Sequence, residues 1–196
     1  SDVVRARLYR NLVEDDLNAL SYPALLAGVS YGISTPDRGF RISLGGYQDK
    51  QSELLQVVLD RLTSLLINPD RFDVLKTELE NSLQDSFKNR PFQQGFDRLR
   101  NNLLSSSWPA DVQLAELATV TPENLGLWRD TYFKQVGVEA LAVGNLDLIA
   151  AKRIQDQLAN SLAIASIPAA APIVTQIEAS MTEVMAIDHN DASLVF

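Results

Sequence analysis

The 196-residue sequence contains no cysteine and a single histidine, His189. The first absence removes disulfides, thiolate-ligated zinc and cysteine nucleophiles. The second removes paired-histidine metal sites, a histidine-relay triad on a folded core and the His-x-x-Glu-His zinc motif. Neither absence speaks to compartment, because a secreted protein can do without cysteine. Positive charge is also scarce: 17 Lys and Arg stand against 25 Asp and Glu, giving a net charge of -8 and a pI near 4.6. This balance argues against nucleic acid and against anionic membrane surfaces as partners. Long apolar runs are missing as well. None approaches the roughly 20 residues of a membrane span, and the start, "SDVVRARLYR", lacks the charged-then-apolar pattern of a signal peptide.

What is present is material for a core. Hydrophobic residues make up 46% of the chain, sufficient for one large domain or for one domain plus a piece of another. A helical pattern begins almost at residue 1, and the last residues, "SLVF", read as a strand without a polar tail. The expectation is a piece of something longer.

From Val3 to about Tyr22, Leu8, Leu12, Val13, Leu17 and Leu20 fall on one helical stripe, with Arg5, Arg10 and Asp15 outside it. Val29, Tyr31 and Ile33 then alternate with small polar residues, as do Phe40, Ile42 and Leu44. Between them Pro36 presets a turn, and Gly39 can take a positive φ without steric cost. The spacing predicts a hairpin between two helices. Asp49 is the expected N-cap of the next helix, whose apolar stripe runs from Leu54 to Leu66. Asn68 and Pro69 open another that carries Phe72, Leu75, Leu79, Leu83 and Phe87.

Pro91 ends that helix and opens one with Phe96, Leu99 and Leu103. Short helices are expected at 110–118 and from Thr121-Pro122 to about Gln135. "VEALAVG" (138–144) reads as a buried strand, and Asn145 as the cap of a helix reaching about Leu162. The order predicts an α+β fold: a mainly antiparallel sheet with several helices packed on it. The Ala- and Pro-rich stretch 163–174 reads as a linker, and "EVMAI" and "ASLVF" flank "DHND" as a second hairpin too small to fold alone. The domain expectation is therefore 1–165, a linker over 166–180, and the first strands of a following domain over 181–196.

Few residues invite a chemical reading. His189 lies in "DHND", a turn by composition, where a solvated side chain is the commoner state. Glu14, Asp15 and Asp16 are adjacent, but successive helical residues point in different directions and cannot work as a general acid/base pair. Gly45-Gly46 lacks the further glycine and the Lys-Ser/Thr of a phosphate cradle, and close backbone approach at a strand end explains it better. "SSSW" (105–108) offers hydroxyls without a base, with Trp108 expected to pack back onto a helix. Tyr22, Tyr31 and Tyr47 stand near the hairpin, where core or rim positions are commoner than a cavity lining. No catalytic, cofactor-binding or metal-binding residue is assigned.

Several motifs nonetheless form an ordered set. Leu17-Asn18-Ala19-Leu20, Tyr22-Pro23-Ala24, Leu26-Ala27-Gly28-Val29-Ser30-Tyr31 and Gly46-Tyr47-Gln48-Asp49-Lys50 resemble the middle region of the insulinase (pitrilysin) family of zinc metallopeptidases. Arg90-Pro91-Phe92-Gln93-Gln94, Trp108 and Gly144-Asn145-Leu146 follow in family order, and "DHNDASLVF" resembles the start of that family's fourth domain. Each motif is weak alone; their order over nearly the whole chain is what is specific. Leu25 stands where the family usually has Glu, and Gln48 where it usually has Asn.

The resemblance implies a four-domain peptidase whose two halves close around a peptide chamber, with zinc and its His-x-x-Glu-His helix in the first domain. This chain would be the non-catalytic third domain plus the first strands of the fourth, without a cofactor of its own. Its partners would be the other domains of the same polypeptide and the peptide substrate. The resemblance implies that a strand precedes the first helix in the family and that this sequence begins after it, with "ASLVF" the expected occupant of the vacant edge in its own or a neighbouring molecule. The alternative function is a structural subunit or peptide-binding module of a peptidase-like protein without activity. The resemblance suggests the periplasm, with the cytosol as the alternative; the residues themselves choose neither.

Overall fold

Capping chemistry places several of the helix starts. In the computed structural model, which describes residues 2–36, 39–165, 174–175 and 184, the Asn68 side chain accepts hydrogen bonds from the Asp70 and Arg71 amides and opens a helix with Pro69 in its first turn. Thr121 and Asn124 form a reciprocal pair, Asn124 N to Thr121 Oγ1 at 3.3 Å and Thr121 N to Asn124 Oδ1 at 3.0 Å, ahead of Pro122. Asp147 accepts from the Ala150 amide at 2.7 Å.

The described elements run α1 (Asp2–Leu26), β1 (Val29–Ser34), β2 (Arg41–Gly46), α2 (Gln48–Ser64), α3 (Pro69–Ser86), α4 (Pro91–Leu103), α5 (Ala110–Ala118), α6 (Pro122–Tyr132) and α7 (Leu148–Ser161). The fold is α+β, with helices packed on an antiparallel hairpin. β1 and β2 pair with Val29 opposite Gly46 and Ser34 opposite Arg41.

α1 is the axis of the molecule. It touches β1, α2, α3, α5 and α6, so its burial is broader than one stripe: Val4, Leu8, Tyr9, Leu12, Val13 and Leu17 are all buried. Charged residues outside that belt tie it to its neighbours, Arg5 to Glu116 of α5 at 2.6 Å and Asp15 to Arg71 of α3. α1 also runs on past Tyr22, through Pro23 to Leu26. There it has left the core, and Leu25 and Leu26 are exposed. α2 and α3 bury the expected stripes, Leu54 to Leu65 and Phe72 to Leu83, while Leu66 and Phe87 lie beyond the helix ends and are exposed.

Three expectations are corrected. α2 starts at Gln48 with Tyr47 as N-cap, so Asp49 lies inside the helix. The cap of α7 is Asp147 and not Asn145, because Asp147 is the residue that reaches the third helical amide. Residues 138–144 form no strand: Leu141 and Val143 are 90% and 83% exposed. A buried strand needs partners on its ladder. Among the described residues the only bridge nearby is an isolated parallel one between Val136 and Ile164. Apart from Val174, Thr175 and Val184, the expected linker over 166–180 and the strands over 181–196, including "ASLVF" and His189, lie outside the described residues.

Candidate functional site

The hairpin has two unlike faces. Alternation directs Val29, Tyr31, Ile33, Ile42 and Leu44 onto the helices, where Val29 and Ile33 are buried and the other three pack against the core. The opposite face carries Ser30, Gly32, Ser34, Ser43 and Gly45, with Arg41 at one end. These side chains are small, and the backbone lies close beneath the surface: Ser43 Oγ donates to the Gly32 carbonyl at 3.3 Å. Among the described residues each strand pairs only with the other, so the outer edges of β1 and β2 carry no third strand.

Gly46 closes this sheet onto α1's end. A Cβ there would stand 2.0 Å from the Gly28 carbonyl oxygen and 2.8 Å from Val29 Cα, and its φ is +112°. Only glycine fits such an approach. The pair Gly45-Gly46 thus serves backbone contact, as its neighbours suggested. The Tyr47 amide donates to Gly28 O at 3.1 Å, and the Tyr47 ring covers the space a Gly28 side chain would need.

The other sequence candidates are dispersed. Tyr31 turns inward and its hydroxyl donates to Leu17 O at 3.3 Å, whereas Tyr22 and Tyr47 are 68% and 77% exposed. The three tyrosines do not share a cavity. Glu14, Asp15 and Asp16 diverge to Arg10, Arg71 and Arg61 at 3.2, 2.5 and 3.1 Å, and hydrogen bonding from Arg71 holds the Asp15 carboxyl below its usual range. Glu14 pairs within α1, whereas Asp15 joins it to α3 and Asp16 to α2. Ser107 donates to Asn101 Oδ1 at 2.6 Å, and Trp108 stands at the wall of an open groove of about 1060 Å³ between the end of α3, α4 and α5. Arg7 reaches this groove from α1 and donates to Gln113 Oε1 at 2.7 Å; burial, then the charge of Arg10, lowers its pKa. The groove's acidic lining is Glu78, Asp85, Asp97 and Asp111, and the hydrogen bond described for Ser107 goes to Asn101 instead. Among the described residues no three His, Cys, Asp or Glu gather as a metal set.

One cluster escaped the sequence reading. Phe40, just before β2, contacts Tyr132 at 5.6 Å and Phe133 at 5.8 Å between ring centroids, and Tyr9 and Trp128 complete the group. It clamps the hairpin turn to α1 and α6. The turn glycine, Gly39, has φ +86°, and a Cβ there would lie 2.6 Å from the Tyr132 hydroxyl. The i, i+4 spacing of Trp128 and Tyr132 was the available signal.

Helices layered on one face of a hairpin, with the other face bare among the described residues, define an α+β domain. Residues 1–116 match the family described as the middle or third domain of peptidase_M16. The chain belongs to this family, the insulinase/pitrilysin peptidases. It is similar to human insulin-degrading enzyme, 31% identical over 157 residues that cover 80% of this chain and 15% of that protein. Insulin-degrading enzyme-like 2 of Arabidopsis thaliana is 28% identical over 162 residues, 83% of this chain and 17% of that protein. The chain therefore spans about a sixth of the length of these curated relatives. A crystal structure of pitrilysin shares the fold, with a TM-score of 0.72 at 20% identity over 81% of this chain and 17% of that one.

Proposed function

We propose that this chain is a non-catalytic domain of a zinc-dependent metalloendopeptidase and forms part of the closing half and wall of its peptide-degrading chamber. The observation that carries the reading is the match of residues 1–116 to a middle or third domain of a peptidase family. The hairpin supports it physically. A face of Ser30, Gly32, Ser34, Ser43 and Gly45 has no bulky side chains to select among sequences. An open strand edge offers main-chain donors and acceptors to any extended peptide. In the parent, a zinc held by residues outside this chain would supply the activated water for peptide hydrolysis. This domain's part is enclosure, which admits only peptides that fit.

On this reading the isolated chain neither hydrolyses a quenched fluorescent peptide nor retains stoichiometric zinc after purification. Chelator-sensitive hydrolysis that co-purifies with the chain through successive columns overturns it. In the whole protein, Ser43→Trp on the bare face is expected to lower kcat/KM for long peptides several-fold at unchanged zinc content. Turnover equal to the parent's removes the hairpin from the chamber wall.

A further inference from the structure

Of the described helices, α7 alone has no buried residue. Its main neighbour among the described elements is α2, and the seam between them is a ladder of side-chain hydrogen bonds. Ser52 Oγ donates to Gln157 Oε1 at 2.9 Å, and Gln157 Nε2 donates back to Ser52 O at 2.8 Å and to Gln56 Oε1 at 3.1 Å. Gln56 Nε2 continues the ladder to Ser161 Oγ at 3.2 Å. An open cleft of about 570 Å³ runs beside it, and every residue on its walls is polar or charged. Hydrogen bonds between neutral groups in such a place are readily exchanged for water, so they hold two helices together only loosely.

The apolar part of the seam is narrow. Leu55 and Leu59 are buried, yet they stand apart from the core cluster that takes in Leu54, Val58 and Leu62. Helical geometry places them between that row and the ladder row of Ser52 and Gln56. On α7, Ile154 and Leu158 are half-buried. Each lies three residues before a ladder residue, Gln157 or Ser161, and so on the same side of the helix.

The two ends of this part of the chain are pinned side by side. Val136 and Ile164 form an isolated parallel bridge, in which Val136 N donates to Ala163 O at 3.1 Å and Ala165 N donates to Val136 O at 2.9 Å. Just ahead of the bridge, Phe133 stands 5.8 Å from Phe40 in the aromatic cluster, which fixes the pivot to the body of the domain. Residues 137–163 therefore leave and rejoin the domain at one place. Between the bridge and α7 they run exposed, with Leu141 and Val143 outside the core.

We propose that residues 137–163 are a hinged flap. It swings about the Val136–Ile164 bridge, parts the ladder of Ser52, Gln56, Gln157 and Ser161, and uncovers Leu55 and Leu59 while α1, α2 and α3 stay folded. The fold thus carries a gate over an apolar strip of α2. The inference stands apart from the chamber-wall reading, and its test needs no peptide.

The lack of cysteine makes that test clean. Amide hydrogen exchange of the 196-residue chain is followed by mass spectrometry. Peptides from α7 are expected to exchange together, about tenfold or more faster than those spanning the buried stripes of α2 and α3. Ser52→Cys with Gln157→Cys, joined by a short bismaleimide, locks the flap. Linking is expected to slow α7 severalfold relative to the same double variant before linking, with α3 unchanged. Gln157→Ala, which needs no linking chemistry, is expected to speed α7 exchange severalfold at an unchanged urea midpoint. Exchange of α7 at the rate of α3 overturns the proposal. So does loss of protection in α2 together with α7, which would make the event unfolding of the domain. Exchange of α7 that neither the link nor Gln157→Ala alters also overturns it, by assigning the motion to fraying within the helix.

Discussion

The guanidinium of Arg71 on α3 grips the carboxylate of Asp15 on α1 with two hydrogen bonds, Nε to Oδ2 at 2.8 Å and Nη2 to Oδ1 at 2.5 Å. The bidentate geometry favours the ionised carboxylate, and the Asp15 pKa is lowered accordingly. A depressed folded-state pKa gives stability that is present above the unfolded value, near 3.9, and is lost as pH falls through the folded one. Because the pair is partly solvated, its effect is small. Asp15→Asn should lower the thermal midpoint slightly at pH 7, and the gap to the parent should close in acid. A gap that persists in strong acid, once the parent's Asp15 is protonated, would assign the effect to packing.

Tyr9 titrates in the opposite sense. It is fully buried against Phe40 and Trp128, and its hydroxyl donates to Leu62 O at 2.9 Å. Burial is the main cause that pushes its pKa from 10.0 up to about 12. The unfolded chain releases that proton first, so stability falls as pH rises above about 10. Tyr9→Phe should cost about 1 kcal/mol at pH 7 and flatten this alkaline loss; denaturant melts at pH 8 and 11 measure both.

Gly46 has no tolerable replacement. With φ at +112° and the Gly28 carbonyl 2.0 Å from a would-be Cβ, Gly46→Ala should lose about 2 kcal/mol or more. Gly126 is the control. It lies inside α6 with nothing within 4 Å of a Cβ, and Gly126→Ala should gain about 0.5–1 kcal/mol. Urea midpoints with equal slopes separate the two outcomes.

Asn68 caps α3 through two backbone amides. Asn68→Ala should cost about 1 kcal/mol, and Asn68→Ser should recover most of it. A loss that serine does not restore would place the role of Asn68 outside capping.

Phe40→Ala should loosen the turn from α6. Trp128 lies 6.5 Å from Phe40 between ring centroids, so its fluorescence should report the change, together with a stability loss of about 2–3 kcal/mol. An unaltered emission spectrum would count against the aromatic clamp.

Elements whose signal is local were legible in advance. Asn68-Pro69 and Thr121-Pro122 carry their caps within four residues, and the stripes of α2 and α3 recur at helical spacing. The hairpin's alternation and the close approach at Gly46 could also be read from neighbours in sequence. Residues 138–144 show where that stops. Their apolar run describes a strand's demand for partners, but the ladder that would satisfy it is not a property of the run. The choice of Asp147 over Asn145 turned on which residue stood where helical dihedrals began.

The candidate site divides in the same way. The bare face of Ser30, Gly32, Ser34, Ser43 and Gly45 follows from a period of two. The meeting of Phe40, Tyr9 and Trp128 joins residues far apart in the chain, and no periodicity predicts such contacts.

By itself, the order of amino acids determined the starts at Asn68-Pro69 and Thr121-Pro122, the hairpin's alternation, the apolar stripes of α2 and α3, the family and the chemistries that two missing or nearly missing residue types put out of reach. Tertiary structure alone decided that α1 is surrounded on many sides, that Asp15 and Asp16 pair with arginines of α3 and α2, and that Phe92 and Phe96 of α4 stand exposed. Local dihedral and capping preferences act over a few residues, whereas burial and charge pairing depend on which distant surfaces come together.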